Sequence, residues 1–291
     1  MLTSLNISQL YPLKDLKVIL NIIKNAGFDA YDYTMCLEHK DYEKYTNIFL
    51  MDNYIEEAQN LRKYADSIGL VCNQAHAIFP SFFKGDDERT QKGIDETIKC
   101  MEIASILGAK VIVVHPENNC TFKENVEYYK SLEPYCEKFN IKIGVENMWN
   151  WSESKKRAIT AACAYKDDYL KTIKHLNPKW FTCCVDIGHA EMMKGSSAKI
   201  LLEALGDYVG CLHIHDNNKV HDLHKIPYST KIDFGEVIDT LRNIHYKGDV
   251  TLEVFNFLNA FPTEEKYYQI GTNILYEVAK RIYDGINKNN E

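Results

Sequence analysis

The sequence predicts an α/β fold, a single-domain (β/α)8 TIM barrel that spans residues 1–291. A short apolar strand followed by an amphipathic helix recurs eight times along the chain, and eight is the number of parallel strands that closes such a barrel. The length also fits, because a barrel of this kind needs about 250 residues. No linker rich in Pro, Gly or Ser divides the 291 residues into smaller domains.

The predicted strands are rich in Val, Ile, Phe and Tyr, and several are nearly continuous apolar runs. Such runs are typical of parallel strands that are covered on both faces. We predict strands near residues 2–7, 28–34, 70–77, 109–115, 141–147, 181–187, 209–215 and 249–255. An open doubly wound sheet is the alternative, but no glycine-rich nucleotide-binding motif follows any strand.

Helical periodicity fills the segments between the strands, and several apolar stripes lead up to a glycine. The glycines that we expect to end helices are Gly27, Gly69, Gly108 and Gly248. Asp233 is predicted to cap the N-terminus of the helix before Gly248. Pro134 falls inside the helix before the fifth strand, where we expect a kink or a break.

Composition narrows the class of protein. The net charge of -7 gives no basic footprint of the kind that nucleic-acid-binding proteins carry, so we expect no nucleic-acid partner. The chain has no apolar run of about 18 residues and no signal-peptide pattern; we therefore expect a cytoplasmic protein with no membrane partner. Among nine cysteines, those in strand-like runs are expected to be reduced core residues rather than zinc ligands. They are Cys72, Cys183, Cys184 and Cys211.

Ionisable residues end six consecutive predicted strands, from the third to the eighth, or follow them closely. They are His76, His115, Glu146, Asp186, His189, His213, His215, Asp222, His224 and Glu253. The carboxyl ends of barrel strands carry the active site, and buried ionisable groups are costly unless they are paired or metal-bound. Because carboxylates and imidazoles are ordinary ligands of divalent cations, the pattern predicts a divalent-metal site.

A purely structural role can explain several other histidines and the tryptophans. Any one histidine could be a hydrogen-bonded core residue, and that interpretation is favoured for His39, His175 and His245, which lie in predicted helices or loops. Trp149 and Trp151 could stack on a ligand or cover the mouth of the barrel, and covering is slightly favoured.

Six segments resemble the xylose-isomerase-like barrel superfamily, and together they extend over almost the whole chain. They are LGAKVIVVHP, IGVEN, VDIGHA, HIHDN, the D-x-H of Asp222-Leu223-His224, and TLEVF. Members include sugar-phosphate isomerases, ketose 3-epimerases, inosose dehydratases and endonuclease IV. The resemblance to the epimerase branch implies one metal ion held by Glu146, Asp186, His213 and Glu253. His213 is chosen over His215 because the family's ligand lies three residues before an acidic residue.

The same resemblance implies an activity and further roles. The expected activity is isomerisation or epimerisation of a sugar or sugar derivative, with Mn, Zn or Mg as cofactor and a small sugar-like molecule as partner. Glu146 and Glu253 would transfer the proton as the catalytic residues. The candidate substrate contacts are His76, His115, His189 and Trp149. A homo-oligomer is compatible with the sequence, which does not determine the oligomeric state.

Endonuclease IV gives the alternative function, zinc-dependent cleavage at abasic DNA sites. Its three-zinc pattern maps onto nine suitable residues here. Five of them lie beyond the epimerase set, namely His76, His115, His189, Asp222 and His224, and His215 is also on that face. The DIGH sequence, with Gly188, is closer to the isomerase form.

The segment 226–233 departs from the family pattern because it lacks the glycines that are usual there. Without glycine its backbone would lie farther from a ligand.

Overall fold

The computed structural model describes residues 1–35 and 46–288, and it confirms the (β/α)8 barrel. In this part of the chain the strands are β1 (Thr3–Asn6), β2 (Ala30–Thr34), β3 (Val71–His76), β4 (Val111–Val114), β5 (Lys142–Glu146), β6 (Asn150–Ser152), β7 (Arg157–Ile159), β8 (Phe181–Asp186), β9 (Val209–His213) and β10 (Val250–Leu252). The α-helices are α1 (Leu16–Ala26), α2 (Tyr54–Ser67), α3 (Asp87–Leu107), α4 (Phe122–Phe139), α5 (Lys166–Lys174), α6 (Ile187–Met192), α7 (Ala198–Leu205), α8 (Phe234–Asn243) and α9 (Glu265–Asn287). Each of the eight predicted barrel strands is present.

Eight strands form one parallel sheet in the order β10-β1-β2-β3-β4-β5-β8-β9. The sheet closes beyond β9: the amide of Ile214 donates to the carbonyl of Thr251, and the amide of Glu253 donates to the carbonyl of Ile214, each over 3.0 Å. β6 and β7 form a separate antiparallel hairpin after β5, which the sequence did not predict. Closure places the carboxyl ends of all barrel strands around one mouth.

Helix ends follow local backbone preferences. Gly27 and Gly108 cap α1 and α3 in the left-handed conformation, as predicted. Gly69 is also left-handed and follows α2 by two residues. No helix within residues 1–35 and 46–288 is both long and apolar enough to cross a membrane.

The last crossover helix, α8, confirms one prediction and corrects another. The side chain of Asp233 accepts hydrogen bonds from the amides of Gly235 and Glu236, at 2.9 and 3.1 Å, so it is the N-cap. Gly248 does not end the helix, because α8 stops at Asn243 and His245 takes the left-handed conformation instead.

The break expected at Pro134 does not occur, because α4 runs from Phe122 to Phe139. Pro134 and Lys130, whose carbonyl loses its helical donor to the proline, both lie on the exposed face. Water can hydrogen-bond that carbonyl, which reduces the cost of the proline. A bend of the helix axis at this point stays a prediction.

The four strand cysteines are buried and form no disulfide with any cysteine in residues 1–35 and 46–288, as expected for core residues. Polar side chains also occupy the barrel interior, where barrels usually carry bulky apolar residues. The Nδ2 amide of Asn73 on β3 reaches Thr251 Oγ1 on β10, over 3.2 Å. These strands are not neighbours in the sheet, so the contact crosses the inside of the barrel. Ser4, on β1, donates to Asn73 over 2.7 Å.

Candidate metal centre

The strand ends place the predicted site residues together. His76, Glu146, Asp186 and His213 are the last residues of β3, β5, β8 and β9, and Glu253 follows β10. Because the strands are parallel, these side chains meet at the carboxyl end of the barrel. All five are buried. Carboxylates and imidazoles thus converge in a region that water scarcely reaches.

The first donor group consists of Glu146, Asp186, His213 and Glu253, which offer donor atoms within 4.8 Å of one another. Nδ1 of His213 lies 3.1 Å from Oε1 of Glu146 and 3.5 Å from Oε2 of Glu253. Two carboxylates therefore converge on the same nitrogen of this imidazole. This is the set that the epimerase resemblance implied.

The second donor group consists of His76, His115 and Glu146. The Nε2 atoms of the two histidines are 3.1 Å apart, and His115 Nε2 lies 3.0 Å from Glu146 Oε2. Glu146 offers its other oxygen, Oε1, to His213 in the first group. Its carboxylate therefore connects the two groups.

The third donor group consists of His189, His215, Asp222 and His224. Oδ2 of Asp222 lies 3.3 Å from His189 Nε2 and 3.0 Å from His224 Nε2, while its Oδ1 lies 3.6 Å from His215 Nε2. The expected further ligands His215, Asp222 and His224 are thus brought together. His215 belongs with this group rather than replacing His213 in the first.

Local hydrogen bonds explain why Asp186 and His189 are held so firmly. Asp186 caps the short helix α6 by accepting from the amide of His189, over 2.7 Å. Asn147 clamps this turn: its side chain accepts from the Asp186 amide and donates to the Asp186 carbonyl, at 2.8 and 3.0 Å. The Asn147 carbonyl also lies 2.9 Å from His189 Nδ1. Asn147 is therefore a positioning residue that the sequence located but did not assign.

The loop after β9 is tied down by Asp216, which is fully buried. Its carboxylate accepts from the amides of Thr230 and Ile232, at 2.7 and 3.1 Å. The segment 226–233 forms without the family's glycines because Tyr228 itself adopts a left-handed φ of 70°. Arg281 lies over the Tyr228 ring, at 4.7 Å from its centroid.

Electrostatics hold the carboxylates of Glu146 and Glu253, in the first group, ionised in the metal-free protein. Burial raises the pKa of Glu146, but His213 and His115 outweigh burial and hold that pKa well below its usual range. Burial likewise opposes ionisation of Glu253, yet His213 and the hydrogen bond with His76 lower its pKa to about 2. For His213, burial is outweighed by Glu253 and Glu146, which raise the pKa well above its ordinary value.

In the second group, the effect of burial dominates the pKa of the histidine His115. Burial outweighs Glu146 at His115 and lowers the pKa of that imidazole. His115 lowers the pKa of Glu146, whereas the pKa of His115 itself is lowered by burial. We take the His115 ring as neutral because it is deeply buried beside two other imidazoles. A neutral imidazole is the form that binds a metal.

Two observations show that these donors fit a divalent cation. Among the described residues, Oδ1 of Asp222 is buried without a hydrogen-bond partner, which is costly unless a cation compensates. The donor atoms in close contact lie 3.0 to 3.6 Å apart, close to the ligand-to-ligand distance of about 3.4 Å expected for tetrahedral bonds of about 2.1 Å. Mixed carboxylate and imidazole donors suit zinc or manganese.

The remaining predicted residues lie around these groups. His76 and His115, proposed as substrate contacts, lie among the donors, and those roles stay predictions. Trp149 presents its ring edge-on to His189, with centroids 6.3 Å apart, and packs beside Met148. Trp151 stacks on His221 at 5.3 Å. Whether each tryptophan covers the mouth of the barrel or stacks on a ligand stays a prediction.

Residues outside the donor groups include one that the sequence did not reveal. His175 donates its Nδ1–H to the Lys171 carbonyl, 2.7 Å away at the end of α5, and His245 lies in a loop; His39 lies outside the described residues. Asp32 on β2 was not predicted, yet it shares a donor cluster with His76 and His213. A lone Asp inside the apolar strand AYDYT was the only available signal.

Two curated proteins are related to part of the chain. An uncharacterized protein from Methanocaldococcus jannaschii is 30% identical over 191 residues, which cover 62% of this chain and 62% of that protein. An uncharacterized protein from Sinorhizobium fredii is 24% identical over 204 residues, covering 65% of this chain and 61% of that protein. The chain thus matches about three fifths of the length of these relatives.

Solved structures match nearly the whole chain. A D-tagatose 3-epimerase-like protein superposes with a TM-score of 0.71 at 23% identity, over 96% of this chain and 98% of that one. A D-psicose 3-epimerase solved with D-fructose gives 0.72 at 14%, over 97% and 99%. The IOLI protein with a bound zinc atom gives 0.71 at 19%, over 98% of each chain. At these identities the likeness shows the fold.

The family follows from a match that covers most of the barrel. Residues 20–278 match the family described as xylose isomerase-like TIM barrel, from within α1 to within α9. The strand-end motifs had predicted this family, and the closed parallel barrel agrees with it. The chain belongs to the xylose isomerase-like TIM barrel family.

Proposed function

We propose that this chain is a metal-dependent isomerase or epimerase of a sugar or sugar derivative that transfers a proton between Glu146 and Glu253. The observation that carries the proposal is the convergence of these two buried carboxylates on one atom, Nδ1 of His213, at 3.1 and 3.5 Å. They come from β5 and from the end of β10, which β8 and β9 separate in the barrel. A substrate bound at this point could therefore be approached by two carboxylates that come from separate strands.

The chemistry follows from the acidity of a proton next to a carbonyl. A divalent ion held by Glu146, Asp186, His213 and Glu253 would polarise that carbonyl and stabilise the adjacent negative charge. One glutamate removes the proton, and the other returns a proton from the opposite side. Return to the same carbon inverts it, whereas return to the neighbouring carbon isomerises the sugar. Both glutamates are ionised at neutral pH, as a general base requires.

The residues at the mouth suit a small polar substrate. His189 Nε2 lies 3.3 Å from Asp222, so this pair can hydrogen-bond a substrate hydroxyl. The apolar ring of Trp149 next to His189 can cover the sugar ring. The net charge of -7 also supports a small molecule rather than nucleic acid as the partner. The proposal includes Mn, Zn or Mg as the bound ion and a cytoplasmic location. A homo-oligomer is compatible with it.

One observation favours a second candidate, a zinc-dependent apurinic/apyrimidinic endonuclease. The second and third donor groups add histidines and Asp222 around the first group, and an epimerase does not require them. Such an assembly of zinc ions would activate water and neutralise the leaving oxygen of a phosphodiester. The second candidate therefore differs from the first in the number of metal ions that the activity needs.

The composition of the third donor group favours the first candidate. It offers four protein donors, because His215 joins His189, Asp222 and His224. Four protein ligands complete a tetrahedral zinc site, whereas catalytic zinc sites keep one position open. An ion held by all four residues would have no open position for a phosphate oxygen.

Two assays on the same metal-loaded preparation test the proposal. A panel of ketoses, inososes and sugar phosphates is incubated in deuterated water, and loss of the proton next to the carbonyl is followed by proton NMR. A duplex with an abasic site is incubated over a series of salt concentrations. We expect deuterium in at least one sugar and neither binding nor cleavage of the duplex. Strand scission with a steep fall of affinity in salt would contradict the proposal.

A further inference from the structure

Asp32 is a buried carboxylate outside the donor groups of the proposed function. It lies on β2 with none of its surface exposed. Its Oδ2 accepts from the Nδ2 amide of Asn6 over 2.7 Å and from the Nε2 amide of Gln74 over 3.4 Å. Its Oδ1 is buried and has no hydrogen-bond partner within the part of the chain that the structure describes. The carboxylate is thus oriented through one oxygen, while the other is left for a group inside the barrel.

His213 has the complementary arrangement. Its Nδ1 faces Glu146 and Glu253 in the first donor group, whereas its Nε2 is buried with no hydrogen-bond partner among residues 1–35 and 46–288. A carboxylate oxygen of Asp32 and ring nitrogens of His213 and His76 lie within 4.8 Å of one another. A separation near 4.8 Å is too long for a direct hydrogen bond, but one water molecule can bridge it.

We infer that Asp32 is a positioning residue for His213: its Oδ1 accepts the Nε2–H of His213, directly or through one water, so that Nδ1 is presented unprotonated to the metal ion. The inference rests on the proposed metal-dependent function. A histidine that binds a metal usually donates its other ring N–H to a carboxylate or carbonyl, which fixes the tautomer and ring orientation and strengthens the ligand. Asp32 supplies that carboxylate from the interior of the barrel.

A polar network below the site holds Asp32 in place. Oε1 of Gln74 accepts from Thr251 Oγ1 over 3.4 Å, and Thr251 Oγ1 accepts from the Nδ2 amide of Asn73. That amide also donates to Asp249 over 3.2 Å, at the partly exposed end of the network. Burial raises the pKa of Asp32, and the imidazoles of His213 and His76 oppose that rise, as attraction between these groups requires.

The test replaces Asp32 with Asn, which keeps the shape of the side chain. The amide can satisfy only one side, because its NH2 group must face either the donors of Asn6 and Gln74 or the N–H of His213. Zinc affinity is measured by competition with a chelator, together with the zinc content per chain and the melting temperature of the metal-free protein. Asp249→Asn, at the other end of the network, is the matched control.

We expect Asp32→Asn to weaken zinc binding by about 10–100-fold with the number of ions per chain and the metal-free melting temperature maintained. Asp249→Asn should leave the affinity unchanged. Unchanged affinity in Asp32→Asn would overturn the inference alone. Loss of one whole ion per chain would also overturn it, since Asp32 would then be a direct ligand. A wild-type chain that binds no divalent metal would overturn the proposed function together with the inference.

A measurement on the unmodified chain covers the case in which Asp32→Asn does not fold. In zinc-loaded protein labelled with 15N, the Nε2–H proton of His213 should exchange slowly and resonate downfield, because it is buried and hydrogen-bonded to a carboxylate. A proton at this nitrogen that exchanges rapidly with water would overturn the inference.

Discussion

The ring of His215 lies directly over Gly188, so that a Cβ at position 188 would be only 1.9 Å from Cε1 of the imidazole. His215 has little freedom to move, since its Nε2 lies 3.1 Å from Oδ1 of Asp186 and its ring stacks on His224 with centroids 4.0 Å apart. The glycine of the DIGH motif therefore has a steric cause. It leaves room for the fourth donor of the third group.

Replacing Gly188 with Ala should lower the free energy of unfolding by about 1–3 kcal/mol, the usual cost of overpacking a buried site. Chemical denaturation of the metal-free protein measures this change. The control is the double variant Gly188→Ala with His215→Asn, whose smaller side chain should recover part of the loss. Strictly additive losses in the two single variants would mean that the two positions do not interact.

Metal content should distinguish the two candidate functions. After mild dialysis we expect one tightly bound ion per chain, at the first donor group, with a further zinc ion only when zinc is in excess. His115→Gln should leave this count unchanged, because the epimerase chemistry requires no ion at the second group. Elemental analysis provides the measurement. Three zinc ions in the wild-type chain, falling to two in His115→Gln, would favour the phosphodiesterase.

The two glutamates should be needed for turnover more than for metal binding. Glu253→Gln keeps the shape and one coordinating oxygen but removes the base, so turnover should fall by about 10²–10⁴ while metal is partly retained. Glu146→Gln should behave alike, and exchange of the substrate proton with deuterated water should be lost in at least one variant. His175→Gln, on the outer helix α5, is the control. Full turnover in Glu253→Gln would show that the carboxylates serve as ligands only.

The metal-free protein should lose stability as the pH rises above neutrality. Burial lowers the pKa of His224, but Asp222 outweighs burial and raises it from 6.5 to about 9. The folded chain therefore binds this proton more tightly than the unfolded chain does. The resulting stability is fully present below about 6.5 and is lost as the pH rises through about 9. Chemical denaturation between pH 6 and 10 measures it, and a flat profile would contradict the assignment.

Glu253 should contribute to the stability of the metal-free protein in a way that is lost at acid pH. Its pKa is lowered from 4.5 to about 2, because His213 and His76 outweigh the effect of burial. The unfolded chain therefore binds this proton more tightly, and the stability from Glu253 is present above about 4.5 and lost as the pH falls through about 2. Glu253→Gln should flatten this acid limb in a thermal melt. An acid limb that is unchanged in the variant would show that other groups cause it.

The sequence alone determined the barrel and most of the donors, because both depend on local patterns. Continuous apolar runs followed by helical stripes specify parallel strands and crossover helices. Parallel strands place their last residues at one end, so Glu146, Asp186 and His213 could be expected to meet. The stop at Gly108 and the cap at Asp233 were predictable for the same reason, since each depends on its own backbone neighbours.

The tertiary structure decided which donors share a group and what lies beneath them. His213 is the last residue of β9 and His215 follows it by two residues, yet the first faces Glu146 while the second lies over Gly188. Those partners come from other strands and turns, at positions that periodicity along one segment does not specify. Asp32 was missed because a lone carboxylate in an apolar strand becomes informative only when barrel closure brings it near His213. Contacts across a closed barrel are set by strand register and side-chain packing, which local sequence patterns do not encode.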